Sequence, residues 1–498
     1  LFMPFSPPQP PTEPYRSHPS KPGGAYLART VGLTAAAVSL LLAGCALPPR
    51  KADLAAISTP GNFAASRSLG SATTEAWPSD GWWKTYGDPQ LDQLIAEGLS
   101  GATDLRVAEA RFAKAAAIAG QARSTLSPSL SAVGEAGLTQ QSENYISPPA
   151  FTPRGWPDYG QASLSLSWDL DFWGKNRAAL AAAKSDAAAA AAEAAATRLA
   201  VSASIASTYA DLASQYAERD AAAEALQVRT KTRDLMAERQ RQGLENQGAV
   251  QRAASALAGQ QGELASLDES IALTRNRLAA LLGAGPDRGL SITRPTLNLD
   301  TAAAGLPANI PAELIGRRPD LIAARERAEA GQSRIDQARA AFYPSINLTG
   351  LIGFQALDIG KVFASGSDMG SIAPAVSLPI LDGGRLRAQY RGAEADYQEA
   401  VAQYDATLIQ ALHEVADAAT SQRALSQRLD RAEAAESAAA AAWSVANNRY
   451  RGGLGTYLDV LNAEDSLIAA RRAVATLQTR AFSLDVAMIR ALGGGFRS

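Results

Sequence analysis

The stretch from about Arg385 to Leu492 constrains this chain more than any other. Leu386, Tyr390, Ala393, Tyr397, Ala400, Tyr404, Leu408, Ala411, Val415 and Ala418 recur at steps that alternate almost strictly between four and three. That seven-residue period predicts a helix whose seam stays on a partner only through left-handed coiling. The helix is expected to run from Arg385 to Tyr450, to reverse at Arg451-Gly452-Gly453-Leu454-Gly455-Thr456, and to return from Tyr457 to Leu492. About 65 residues at about 1.5 Å each make a rod of roughly 100 Å, which few globular domains could house.

The same hairpin occurs earlier, shifted by 210 positions. Arg241-Gln242-Gly243-Leu244 matches Arg451-Gly452-Gly453-Leu454, and Gly174-Lys175-Asn176-Arg177 matches Gly384-Arg385-Leu386-Arg387. A fixed internal period signals one unit built twice, rather than the three domains that 498 residues would allow. Alanine is over-used in these segments; it has the best helix propensity and lets helices approach closely.

Each hairpin is preceded by two strand-like stretches. Between Gln161 and Trp173, Ala162, Leu164, Leu166, Trp168, Leu170 and Phe172 alternate with Ser163, Ser165, Ser167, Asp169 and Asp171. Residues 129–139 alternate less cleanly. In the second copy Ile346, Leu348, Ile352 and Phe354 oppose Ser345, Asn347, Thr349 and Gln355, and a fourth stretch covers Ile372 to Ile380. Apolar and small-polar faces in period two over about ten residues fit a transmembrane barrel strand; a soluble sandwich strand alternates the same way. The uncharged or acidic polar face and the aromatics Trp168, Phe172, Trp173, Phe342 and Tyr343 favour the membrane. Four strands cannot close a barrel with a usable lumen, and an open sheet in lipid leaves backbone groups unpaired, so strands in the membrane require several copies.

The remaining helices fit a length relation. Predicted half-helices at Pro89–Arg123 and Ala249–Gly283, placed end to end, match Lys175–Gln242; Pro311–Ala341 and Tyr457–Leu492 match Arg385–Tyr450. The resulting division is a signal peptide and extension at 1–44, an N-terminal segment at 45–88, a first repeat at 89–285, a linker at 286–310, a second repeat at 311–492 and a tail at 493–498. Segments 45–88, 286–310 and the tail are expected to form a belt where the half-helices meet.

Lys+Arg 47 against Asp+Glu 49 gives no reason to expect a nucleic-acid partner. Two histidines and one cysteine leave little for metal or acid–base chemistry. His413-Glu414 lacks the second histidine of a zinc-protease helix, and Gly283-Ala284-Gly285 does not sit between a strand and a helix. No catalytic residue, metal or cofactor is expected. Val31–Ala43 is a 13-residue apolar run, too short to span a bilayer but suited to a signal-peptide core. It ends in Leu42-Ala43-Gly44-Cys45, similar to a bacterial lipobox, which makes Cys45 the expected lipidated residue.

The lipobox joins other motifs that carry a wider resemblance. These are Trp82-Trp83 with Asp88-Pro89-Gln90-Leu91; Arg317-Arg318-Pro319-Asp320; Phe342-Tyr343-Pro344-Ser345; Leu381-Asp382-Gly383-Gly384-Arg385; and Arg449-Tyr450-Arg451-Gly452-Gly453 before Tyr457-Leu458-Asp459-Val460-Leu461. With them the chain resembles the TolC-like outer membrane factors, of the NodT-type efflux lipoproteins, over essentially all of its mature length. The resemblance implies a membrane β-barrel joined to an α-helical barrel. It implies a homotrimer with a 12-stranded barrel in outer-membrane lipid and a 12-helix tunnel through the periplasm. The implied role is the passive exit duct of a tripartite pump, with a periplasmic adaptor and an inner-membrane transporter of the RND type. It places adaptor docking at the turns Gly243, Leu244, Gly452, Gly453 and Leu454, and a periplasmic gate at Tyr457, Asp459 and Asn462. TolC has acids at the equivalents of Asp459, Asn462 and Ala249, so a TolC-style salt-bridge lock is not expected here. The alternatives are a secretion channel for a polypeptide and, in another class, a structural coiled-coil surface protein.

Overall fold

The computed structural model describes residues 54–64, 66–69, 76–142, 144, 148–297 and 310–497. Cys45 and the apolar run before it lie outside the described residues. Twelve elements carry the architecture: α1 Pro89–Gly101, α2 Thr103–Ser124, β1 Ser129–Leu138, β2 Asp158–Asp169, α3 Lys175–Arg241 and α4 Gln247–Leu281, then α5 Ile310–Arg317, α6 Pro319–Ala340, β3 Ser345–Leu357, β4 Asp368–Ser377, α7 Arg385–Arg451 and α8 Tyr457–Ala491. α3 and α7 are each 67 residues long and their return helices α4 and α8 each 35. None of the described helices is long and apolar enough to cross a membrane.

The helices form one curved wall. α2 and α4 both pack along α3, α6 and α8 both pack between α3 and α7, and so each long helix is backed by two short ones. The expected single helices Pro89–Arg123 and Pro311–Ala341 are each broken. Ala102 leaves helical geometry at ψ 128°, and Arg318 does so at ψ 117° before Pro319. At the first break the end of α4 is pressed against the chain. Gly283 is left-handed at φ 72° and a Cβ on it would overlap the Gly101 carbonyl, while a Cβ on Gly101 would lie 2.5 Å from the Leu282 carbonyl oxygen. At the second break Gly493, at φ 92°, abuts the Arg317 carbonyl in the same way. The half-helices therefore do meet end to end, and α1 and α5 turn aside from the stack.

The segments beside this junction are tied down by the residues of the shared motifs. Asp88 caps α1 by accepting from Gln90 N at 2.9 Å, and its other oxygen accepts from the Tyr209 hydroxyl at 2.8 Å and Thr296 N at 2.7 Å. Gln90 Oε1 accepts from Thr293 N at 2.8 Å. Trp82, Trp83, Tyr86, Leu91, Leu94 and Ile95 bury against Ile205, Tyr209, Leu212, Leu278 and Phe482. The Tyr86 hydroxyl donates to buried Asp485. In the second copy buried Arg318 makes a bidentate pair with Asp320 (3.0 and 2.6 Å) and donates to Glu414 at 2.7 Å and to the Ala491 carbonyl at 3.1 Å.

The strands form one antiparallel meander in the order β1-β2-β3-β4. β2 ends at Asp169 rather than at Trp173, because Asp171 turns the chain at φ 43° and Gly174 follows at φ 77°. β4 runs from Asp368 to Ser377, earlier at both ends than the stretch expected. Leu130 faces Leu166, Leu166 faces Gly350 and Gly350 faces Ile372, so residues from all four strands share one face. Ser131, Ser165, Leu351 and Ser371 share the other. Leu130, Ile352, Ile372 and Val376 are all at least 66% exposed, far more than a soluble sheet leaves on one face. Ser163 and Gly353 are buried on the opposite face, which is therefore the concave one. Pro374 sits in β4, an edge strand, where a missing N–H is tolerated.

The double role of Asp88 gives a test. Asp88→Ala removes a helix cap and leaves two donors of the junction without their carboxylate, which should destabilise the folded protein by about 2–3 kcal/mol. Thermal unfolding in detergent should show a lowered midpoint, with Asp88→Asn recovering part of the loss. An unchanged midpoint in Asp88→Ala would mean that the junction does not depend on this residue.

Candidate functional site

Both helical turns lie at the end of the wall remote from the sheet. α3 ends at Arg241, Gly243 reverses the chain at φ 70°, and Asn246 caps α4 by accepting from Ala249 N at 2.9 Å. In the second hairpin Gly453 takes the same role at φ 72°. Not every glycine of these turns is left-handed. Gly452 instead ends α7 at φ −81°, and Gly455 is not left-handed either. One left-handed residue per turn suffices, as in a common helix C-terminal motif. Leu244 and Leu454 are 61% and 74% exposed, side by side with these glycines in sequence.

Tyr457, Asp459 and Asn462 do not converge within the protomer. Tyr457 is buried with Met236, Ala249, Ala253, Tyr450 and Val460 in an apolar cluster that joins the two hairpins. Its ring lies 6.1 Å from that of Tyr450. Asp459 closes a capping box: its carboxylate accepts from Thr456 N at 2.9 Å and from the Thr456 hydroxyl at 2.8 Å, while Asp459 N donates to Thr456 Oγ1. Those bonds, the backbone one first, hold its carboxyl below the usual range. Asn462 is exposed.

Two features near the tip were not anticipated. The first is a buried ion pair between the hairpins. Arg229 of α3 lies 3.2 Å from Glu464 of α8, with side chains 8% and 1% exposed, and also pairs with Asp465. The pair involves none of Asp459, Asn462 and Ala249, the positions at which a TolC-style lock would stand. The second is Tyr450, whose hydroxyl lies 3.0 Å from Glu245 Oε2, to which it donates, and 3.2 Å from Met236 Sδ. Arg239 lies over the same ring at 4.8 Å. Burial first, and then Glu245, pushes the Tyr450 hydroxyl up to about 12. A signal for the first feature exists in the sequence: Tyr457, Val460, Glu464 and Leu467 step by three and four, so Glu464 stands on the apolar stripe. Arg229 likewise follows Ala222 and Ala225 on the stripe of α3.

No group of three or more His, Cys, Asp or Glu able to hold a metal occurs among the described residues. A two-hairpin helical wall carrying an antiparallel sheet with an apolar outer face defines an outer-membrane channel protein. The chain belongs to the outer membrane efflux protein family, whose sequence profile matches residues 94–284 and 310–494, one match per repeat. It is an efflux channel of the outer membrane. The fusaric acid resistance protein FusA of Burkholderia cepacia is 38% identical over 376 residues, covering 74% of this chain and 69% of the relative. The multidrug resistance outer membrane protein MdtP of Escherichia coli K12 is 29% identical over 440 residues, 85% of this chain and 88% of the relative. The crystal structure of the outer membrane protein VceC of Vibrio cholerae superposes with a TM-score of 0.80 at 48% identity, covering 84% of this chain and all of that one.

The buried pair makes the tip sensitive to pH. Burial raises the pKa of Glu464, and Arg229 only partly offsets this. Asp465 on α8 and Thr232 on α3 also act on it, and Glu464 in turn acts on Tyr457, which Arg252 of α4 also meets. A carboxyl with a raised folded pKa adds stability that is fully present below its ordinary pKa and is lost as pH rises through the folded value. Hydrogen-exchange protection factors at the tip, in which the intrinsic pH dependence of the rate is divided out, should therefore be highest near pH 4 and fall as pH rises through the range above the usual Glu value of about 4.3. Glu464→Gln should flatten that profile, and a variant that keeps the wild-type profile would assign the titration elsewhere.

Proposed function

We propose that three copies of this chain close a 12-stranded barrel and a 12-helix tunnel, forming the exit duct of a tripartite efflux pump. The observation that carries the reading is the register of the sheet. It gathers the apolar residues of all four strands on one exposed face and leaves β1 and β4 as open edges. In lipid such edges cost several kcal/mol per unpaired group, and pairing β4 of one copy with β1 of the next removes them. The likeness to FusA and MdtP favours small organic molecules as cargo over a secreted polypeptide. The inner-membrane partner in this reading is an RND-type transporter and the periplasmic partner an adaptor. The adaptor docks on Gly243, Leu244, Gly452, Gly453 and Leu454. The gate lies above it, with Asp459 and Asn462 facing the axis and Tyr457 supporting them from behind. Arg229 ties the two hairpins together at this level through Asp465 and Glu464.

Lipid anchoring at Cys45 fits the path of the N-terminal segment. The Tyr397 hydroxyl donates to the Ala55 carbonyl at 3.1 Å and Arg423 donates to the Ser68 carbonyl at 3.1 Å, so the segment points toward the sheet as it is followed back to Leu54. Tyr397 lies about 18 Å along α7 from its start beside the sheet, by the rise of a helix. The residues between Cys45 and Leu54 reach roughly 30 Å when extended. A lipid on Cys45 is thus within reach of the membrane surface.

Two substitutions on adjacent residues test the barrel. Leu166→Arg on the apolar face should destabilise the trimer by about 2–4 kcal/mol if it lies near the midplane. Ser165→Arg on the concave face should assemble normally and shift ion selectivity in planar bilayers toward anions. Equal effects on trimer stability in mild gels would contradict the assignment of faces. For the anchor, palmitate labelling should disappear in Cys45→Ser while trimers still form; labelling equal to wild type would remove the lipid from the proposal.

A further inference from the structure

We propose that the cavity where sheet and helices join is a binding site for small aromatic carboxylates in transit, an inference that rests on the exit-duct reading. The cavity has a volume of about 520 Å³, and Asp169, Ser345 and Ser377 of the concave small-polar face contribute to its wall. Lys175, Arg334 and Arg385 contribute the cationic side chains. Lys175 opens α3 and Arg385 opens α7, at equivalent positions of the two repeats. A cation in the first turn runs against the helix dipole, so local helix stability does not account for a basic residue there in both copies.

Two carboxylates of the wall, Asp169 and Asp171, and Asp382 nearby are engaged in bonds of their own. Asp171 accepts from Asn176 N and Arg177 N, each at 2.9 Å, and from Arg177 Nε at 3.3 Å. Asp169 accepts from Asp171 N at 3.1 Å and Asn176 Nδ2 at 3.2 Å. Asp382 accepts from Gly384 N at 3.0 Å and Leu386 N at 2.8 Å. Arg334 pairs with Asp186 across the wall. Lys175 makes no ion pair among the described residues, and Arg385 donates to the neutral amide of Gln389 at 3.1 Å and lies close enough to Asp382 to help hold that carboxyl low, without forming an ion pair with it. The acids thus serve the helix starts, while two cations stay available to an incoming anion. Trp173 and Tyr343, stacked with centroids 4.8 Å apart, form part of the same wall and offer a flat apolar surface. A carboxylate on an aromatic ring matches both features, the charge through charge-assisted hydrogen bonds and the ring through stacking.

The test is equilibrium dialysis of the full chain in detergent against radiolabelled benzoate, with benzamide as the neutral counterpart. Wild type should retain benzoate roughly fivefold better than benzamide, an effect of the size expected for partly solvated charged contacts. The double variant Lys175→Gln with Arg385→Gln should lose that preference, and Lys175→Arg with Arg385→Lys should keep it. Equal retention of the two probes, or a preference that survives the glutamine variant, overturns the site. Loss of the benzoate preference when phosphatidylglycerol is added to the wild type in mixed detergent micelles also overturns it, because the cations would then face lipid headgroups. Binding in the expected pattern by a protein that passes no current in planar bilayers upholds the site while counting against the exit duct.

Discussion

The architecture depends on two helix ends meeting beside an unbroken helix. α3 and α7 run for 67 residues, and no single return helix matches them. The wall is completed by α2 above α4 and by α6 above α8, which brings free backbone groups together at mid-height. A helix end leaves several amides and carbonyls without partners inside the helix. Here they are met by left-handed Gly283 and Gly493, by the Asp88 cap, and by Arg318 on the Ala491 carbonyl. The aromatic cluster around Trp82, Tyr86 and Phe482 then shields the junction from water. The most specific motifs of the chain fall at this place because geometry there tolerates few alternatives.

The two ends of the wall face opposite solvents and use opposite chemistry. At the sheet, the exposed face is apolar and the concave face carries small hydroxyls, as a surface between lipid and water requires. At the tip, the turns expose leucines beside polar residues such as Asp459 and Asn462, and one ion pair, Arg229 with Glu464, is buried between the hairpins. A buried ion pair is a poor source of net stability, but breaking it leaves a charge without a partner. Such a contact favours two discrete arrangements, paired or fully opened and hydrated, over a gradual loosening. That behaviour suits the gate proposed above.

Much of this was legible in the sequence. The seven-residue period from Leu386 to Ala418 and the two-residue period from Ala162 to Trp168 are local signals, since they report which side of one element avoids water. The 210-residue repeat added the pairing of elements, and the length relation between long and short helices led to the junction. The chemistry of the tip was only partly legible. Asp459 follows Thr456 at the spacing of a capping box, but that it bonds Thr456 while staying exposed is seen only in the folded chain.

By itself, the sequence determined the elements, their faces, the duplication and the membership in a class of channels. Tertiary structure decided where the helices break, which glycines turn left-handed and which charges meet. Ala102 leaves the helix because Leu282 and Gly283 press on Gly101, a contact between residues far apart in the chain. Arg229 and Asp465 stand 236 positions apart, and nothing in either neighbourhood names the other. Periodicity records the average environment of a face, whereas a kink or an ion pair depends on one particular neighbour, and only folding supplies that neighbour.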